Sequence, residues 1–216
     1  GMEYLFGYRL QDEQGAMTYR WDWAFTRVAE KQAFQAFVDF VIARWKVYPD
    51  LHIYHYAPYE PAALKRMMGR YATREEEIDQ MLRAGLFVDL YQVTRHTMRA
   101  SVESYSIKNL EPFYKFTRAA ALKDATAALI DLESRLELGE NADIPEETKD
   151  VVRAYNADDC HSAEALRNWF EERRSDLIAQ GIDVPRPQPG DCAPSVVVTD
   201  WMIRIAKLIE QLTEGV

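Results

Sequence analysis

The chain has 216 residues, enough for one ordinary domain with an appendage. Hydrophobic residues make up 48% and charged residues 28%, which excludes a disordered chain. A formal charge of −9 excludes nucleic-acid binding through a broad basic surface. It leaves room for phosphate chemistry through divalent metal held on acidic side chains.

No apolar run is long enough to span a membrane, so no membrane partner is expected. The opening residues lack a basic stretch followed by an apolar one, so no secretory leader is expected, and Gly1 before Met2 reads as a tag remnant. Two cysteines, Cys160 and Cys192, exclude a disulfide scaffold and fit a reducing cytoplasm.

In chain order, residues 3–10 and 17–25 read as two antiparallel strands joined by the Asp12-Glu13-Gln14-Gly15 turn. Tyr19, Trp21 and Trp23 fall on one side of the second strand. Residues 30–48 form the clearest helix, because Phe34, Phe37, Val38, Val41, Ile42 and Trp45 recur three and four apart. A short strand over 51–57 follows. Pro61 opens a helix reaching Tyr71, and Thr73 with Glu76 predicts a capping box for the next. Residues 86–93 read as a strand and 106–114 as a short helix and turn. A helix over 123–138 is closed by Gly139. The stretch 146–180 is helical, with room for one break. Prolines at 185, 187 and 189 mark a linker. Residues 196–198 suggest a short strand, and an amphipathic helix starts at Asp200. This order predicts an α/β fold, a mixed sheet flanked by helices.

Three carboxylates stand out. On the long late helix an apolar stripe runs Val152, Tyr155, Asp159, Ala163, Leu166, Phe170, and Asp159 interrupts it. A carboxylate there is near water, paired with an arginine, or bound to a cation. Glu60 follows His55-Tyr56-Ala57-Pro58-Tyr59 where a strand gives way to a helix. It is either a first-turn residue complementing the helix dipole or part of a site at the carboxyl end of a strand. Asp89 lies in the apolar run Phe87-Val88-Asp89-Leu90-Tyr91, facing solvent or a site. Cys160-His161 has no zinc-ligand spacing, and His52 and His55 would point to opposite faces of a regular strand. No phosphate-binding glycine loop or serine-hydrolase motif is present.

Together these segments resemble the RNase H-like domain of predicted RecB-family nucleases, the YprB-like branch of the DEDD (DnaQ-like) 3′–5′ exonuclease superfamily. The resemblance rests on residues 3–7 (EYLFG), 52–60 (HIYHYAPYE), 87–91 (FVDLY), 103–111 (ESYSIKNLE) and 155–160 (YNADDC), and covers roughly residues 3–175. It implies a domain over 1–180, with 181–216 as a Pro-rich linker and amphipathic helix of the kind that leads into a helicase domain. It implies Mg²⁺ or Mn²⁺ held in pairs about 4 Å apart. Glu60 matches the carboxylate of the second motif. Asp159 matches the late-helix metal ligand, with Asp158 as its substitute, and Tyr155 matches the tyrosine that orients the attacking water. Ser106, Lys108 and Asn109 match a stretch beside the substrate groove. The implied partner is nucleic acid, single-stranded DNA in particular.

The family's first motif, an Asp-x-Glu on the central strand, normally precedes the segment matched by residues 3–7. This chain begins after it, so it is expected to be a piece of a longer pattern, without the usual first central strand. Two expectations follow. Catalysis should be weak or absent. The sheet should also compensate, through residues 196–198, by closing up, or by pairing its edges with a second copy in a homodimer. The competing expectation is a protein-interaction module that keeps the fold without the catalysis.

Overall fold

A computed structural model describes residues 1–119, 122–187, 193 and 196–214. Strands β1 (Leu5–Gln11) and β2 (Met17–Trp23) form an antiparallel hairpin in which Leu5 faces Trp23 and Gln11 faces Met17. Asp12 builds its turn, because Oδ1 accepts from the amides of Gln14 and Ala16 while Gly15 takes φ 84°.

Helix α1 (Arg27–Val47) is capped by Thr26, whose side chain accepts from the Ala29 amide. Strand β3 (Ile53–His55) lies parallel to β4 (Phe87–Asp89), and two helices, α2 (Tyr59–Tyr71) and α3 (Glu75–Arg83), connect them. Next come α4 (Leu90–Thr97), α5 (Ile107–Leu110), a 3₁₀ turn over Glu111–Tyr114 and α6 (Leu122–Leu138). Then α7 (Glu146–Ala179) runs unbroken, and α8 (Val196–Thr213) is the last element.

The α/β class holds, with antiparallel and parallel pairing both present. Among the described residues they form two separate two-stranded sheets, and no strand joins them. Helix α7 packs against both β1 and β3 and so bridges the two sheets.

The period of two decides what each face of the hairpin meets. Phe6 packs into the core built by Phe34, Val38, Val41, Leu64, Met67, Ile78 and Met81, and Tyr8 meets the rings of Phe37 and Phe40 on α1. Leu5 and Trp23 join Leu132, Ile144 and Val152 in a second core beneath α6 and α7. Tyr19 donates to Asn156 at 2.8 Å, Trp21 lies 4.8 Å from the Arg153 guanidinium, and Arg9 pairs with Glu164 at 2.7 Å. So Tyr19, Trp21 and Trp23 do share a side, the one that faces α6 and α7. Gly7 lies on the same side. A Cβ there would fall 1.8 Å from Asn156 Oδ1 and 2.6 Å from the Tyr19 hydroxyl. The bare backbone at Gly7 is what lets α7 come this close.

Glu30 is buried completely and ties β1, α1 and α2 together. It accepts from the Glu3 amide at 2.7 Å, Arg27 at 2.8 Å, Arg70 at 3.3 Å and the Tyr71 hydroxyl. Burial pushes its carboxyl pKa up, but these donors outweigh burial and hold it below the ordinary value.

Four local expectations change. Residues 196–198 are helical and begin α8, so they supply no strand. Thr73 does not cap α3: the cap position is Arg74 in the left-handed region, and Thr73 Oγ1 instead accepts from Gln35 at 3.1 Å. The expected strand over 86–93 ends at Asp89, which caps α4. On α7 the buried positions are Val152, Asp158, Ser162 and Leu166, so the carboxylate turned into the protein is Asp158 and not Asp159. Cys192 and most of the proline segment after Pro187 lie outside the described residues.

Candidate functional site

The site forms where β3 runs into α2, beneath the middle of α7. Ala57, between these elements, takes φ 67°, unfavourable for a residue with a side chain. Its amide donates to Asp89 Oδ1 at 2.9 Å, and the same oxygen accepts from the Tyr91 amide at 2.9 Å. The carboxylate inside the apolar run is therefore explained: Asp89 caps α4 and clamps the β3–α2 junction. His55 is buried beside it, with Nδ1 2.7 Å from the Ala57 carbonyl and 3.7 Å from the Glu60 carboxylate.

Glu60 lies in the first turn of α2. Glu3 anchors that turn to the start of β1, accepting from Tyr59 at 2.7 Å and Arg66 at 2.9 Å. The carboxyl of Glu60 is pushed up to about 7, first by burial and then by the charges of Asp89 and Asp159, against its own backbone amide. Cys160 is pushed up to about 12, again first by burial and then by Asp159 and Glu60. The charge of Asp159 is thus felt at Glu60, and both charges are felt at Cys160, whose thiol lies 3.6 Å from the Gly7 carbonyl.

Asp159 is partly open, with 39% of its side chain exposed. Its carboxyl is raised, chiefly by burial, while Arg118 and Lys108 oppose the rise and Glu111 adds to it. Arg118 Nη1 lies 2.7 Å from Asp159 Oδ1. Arg118 also grips Glu111, with Nε 2.9 Å and Nη2 2.7 Å from Oε1. Glu111 is buried and takes a further hydrogen bond from Ser162 at 2.9 Å, and Ser162 in turn meets the Tyr114 hydroxyl at 2.8 Å. The guanidinium carbon stands 5.5 Å from the centre of the Tyr155 ring. Tyr155 lies one turn before Asp159 on α7, and its hydroxyl accepts from Lys108 at 2.6 Å.

The structure thus brings Glu60, Asp159, Tyr155 and Lys108 into one region. Asp158 is turned away into the protein. Asn109 bonds the Ser104 carbonyl at 3.1 Å, and the Ser106 carbonyl accepts from the Asn109 amide at 3.0 Å, so these two shape the loop carrying Lys108. Glu111 and Arg118 drew no role from the sequence. Glu111 closes the quoted stretch 103–111, ahead of Pro112, and Arg118 is a lone arginine in Phe116-Thr117-Arg118-Ala119.

The donor set does not fit a pair of divalent metals. Asp159 Oδ1 faces a guanidinium, Asp89 Oδ1 holds two backbone amides, and Glu60 faces His55. Among the described residues no group of three His, Cys, Asp or Glu side chains is arranged to hold a metal ion. Nor is any helix among them long and apolar enough to cross a membrane.

A sequence model of the RNase H superfamily matches residues 1–171, ending inside α7. No curated protein and no solved structure matches the chain.

Proposed function

The chain belongs to the RNase H superfamily, and from that premise we propose a nucleic-acid-binding domain of nuclease type. Its branch is the YprB-like, RecB-family group of DEDD 3′–5′ exonucleases, and this chain cleaves weakly or not at all. The boundaries of this reading are residues 1–180 for that unit and 181–216 for a Pro-rich linker with an amphipathic helix. What supports the reading is that α7, which carries Tyr155 and Asp159, packs on β3, the strand that leads to Glu60, and that the charge of Asp159 is felt at Glu60.

Superfamily membership points to nucleic acid as the ligand. Lys108 is the exposed cation on the rim beside Tyr155 and is suited to a phosphate. Single-stranded DNA fits a narrow contact of this kind better than a duplex, because the overall charge of −9 disfavours a broad phosphate footprint. Mg²⁺ or Mn²⁺ is the metal such exonucleases employ. The residues present fit a pair of these ions poorly, which is why weak cleavage is expected.

Fluorescence anisotropy with 5′-labelled single-stranded DNA in metal-free buffer tests binding. Salt-sensitive binding with a Kd of roughly 1–100 µM is expected, weakened several-fold by Lys108→Ala. No binding in that range would overturn the nucleic-acid reading. Vigorous Mg²⁺- or Mn²⁺-dependent digestion, lost on Glu60→Ala, would overturn weak cleavage.

One observation favours a second reading, a module for protein contacts. On α8, Trp201, Ile205, Leu208 and Leu212 are exposed along one stripe at spacings of three and four. A stable dimer by light scattering, lost on Trp201→Ala with Leu208→Ala, and no DNA binding would favour that reading.

A further inference from the structure

We propose that the Arg118 guanidinium is the resident cation of this site: it takes the place beside Asp159 that a divalent metal would need, so the native chain binds such metals weakly there. This rests on the reading of Asp159 as the functional carboxylate of α7.

The argument starts from the guanidinium itself. Arginine stays charged at any accessible pH, so it cannot vacate a site by losing a proton. Only 7% of the Arg118 side chain is exposed. Burial works against its charge, but Glu111 and Asp159 outweigh burial and raise its pKa above the ordinary arginine value. Glu111 anchors one edge through Nε and Nη2, and Ser162 with Tyr114 fixes Glu111 from behind. The Tyr155 ring lies alongside. What remains is Nη1, aimed at Asp159 Oδ1 from 2.7 Å.

That contact is a close ion pair shut off from solvent. Both atoms are buried, and neither makes a well-aligned hydrogen bond. Asp159 therefore receives from Arg118 a fixed positive charge at close range, which is the electrostatic service a metal would supply. A divalent ion binds carboxylate oxygen at about 2.0–2.6 Å. On Asp159 it would stand next to a permanent like charge held by a buried anchor. Moving Arg118 aside would also strand Glu111, which is buried and has Arg118 as its charged partner.

The experiment is Mn²⁺ binding to the full chain, read by electron paramagnetic resonance of free Mn²⁺, for the native protein, Arg118→Gln, Arg118→Lys, Asp159→Asn and the double variant Arg118→Gln/Asp159→Asn. The native chain should bind weakly, and Asp159→Asn should leave that affinity within twofold. Arg118→Gln should bind at least tenfold tighter, and the double variant should lose the gain. Arg118→Lys, which keeps a positive charge, should stay near the native affinity. Tight native binding that Asp159→Asn abolishes would overturn the proposal, as would an Arg118→Gln protein that folds and binds no tighter than native. If Arg118→Gln does not fold, native against Asp159→Asn decides: equal affinity supports the proposal and a large drop overturns it. DNA binding in metal-free buffer reports on the proposed function separately, so the two can fail independently.

Discussion

Two carboxylate–arginine centres link elements of this molecule, and they differ in how completely their charges are satisfied. At Glu30, four donors from α1, α2 and the segment ahead of β1 surround one carboxylate, and its pKa falls although it is fully enclosed. Around Asp159, one arginine is shared between two carboxylates, and the pKa values of Asp159 and Glu60 rise, first through burial and then through neighbouring carboxylates, Glu111 for Asp159 and Asp89 with Asp159 for Glu60. The first arrangement fits a purely structural role. The second leaves charge unbalanced on a partly open surface, where perturbed groups tend to have work to do.

The sharpest way to break the comparison is Glu30→Ala. It leaves the Tyr71 hydroxyl, the Glu3 amide and two arginines without their shared acceptor, and should cost about 3 kcal/mol in urea unfolding. The cost should also depend on pH. Because the folded pKa of Glu30 lies below its ordinary 4.5, the advantage of the native chain over Glu30→Ala is present above that pH and fades as pH falls through the folded value. A loss under about 0.5 kcal/mol would mean that Glu30 is no more than a surface group.

Gly7→Ala comes next and probes how α7 carries the second centre. The added methyl meets Asn156 Oδ1 and should cost about 1–3 kcal/mol. Asn156→Ala in the same chain should recover part of it, since the nearest clash is then gone. No loss on Gly7→Ala would show that α7 does not press on β1 as described.

The smallest effect carries the opposite sign. Glu60 is raised from 4.5 to about 7, so the folded state holds its proton more tightly than the unfolded chain does. Its ionisation therefore costs stability as pH rises from about 4.5 to about 7. Half of the side chain is open to solvent, so screening limits the effect to under about 1 kcal/mol. Glu60→Gln should be as stable as native at pH 4 and slightly more stable at pH 8. Equal stability at both would place Glu60 in ordinary surroundings.

Local pattern carried much of this in the sequence, and long-range pairing did not. The hairpin and α1 follow from period-two and period-3.6 spacing. Val196, Val197 and Val198 favour a strand by propensity, but Val197 and Val198 instead continue the spacing of Trp201 and Ile205 into α8, and the longer pattern wins. Asp89 looked anomalous because a cap and a strand end share one apolar run. On α7 Val152 and Leu166 of the stripe are buried as expected, but between them the buried positions fall one residue earlier, at Asp158 and Ser162, so Asp158 and not Asp159 turns inward. Glu60, Asp159 and Tyr155 were legible as a set only through the family resemblance, since nothing local links a helix start to a distant helix middle. Arg118 was not legible at all: it lies between regular elements, and its partners come from a 3₁₀ turn and from α7.

Carboxyl ¹³C NMR titration of Glu60, in the native chain and in Asp159→Asn, tests most directly whether the two carboxylates share one site. Glu60 should titrate near 7 in the native protein and move down when Asp159 loses its charge and leaves Arg118 less neutralised. A Glu60 titration that does not move between the two proteins would contradict their convergence.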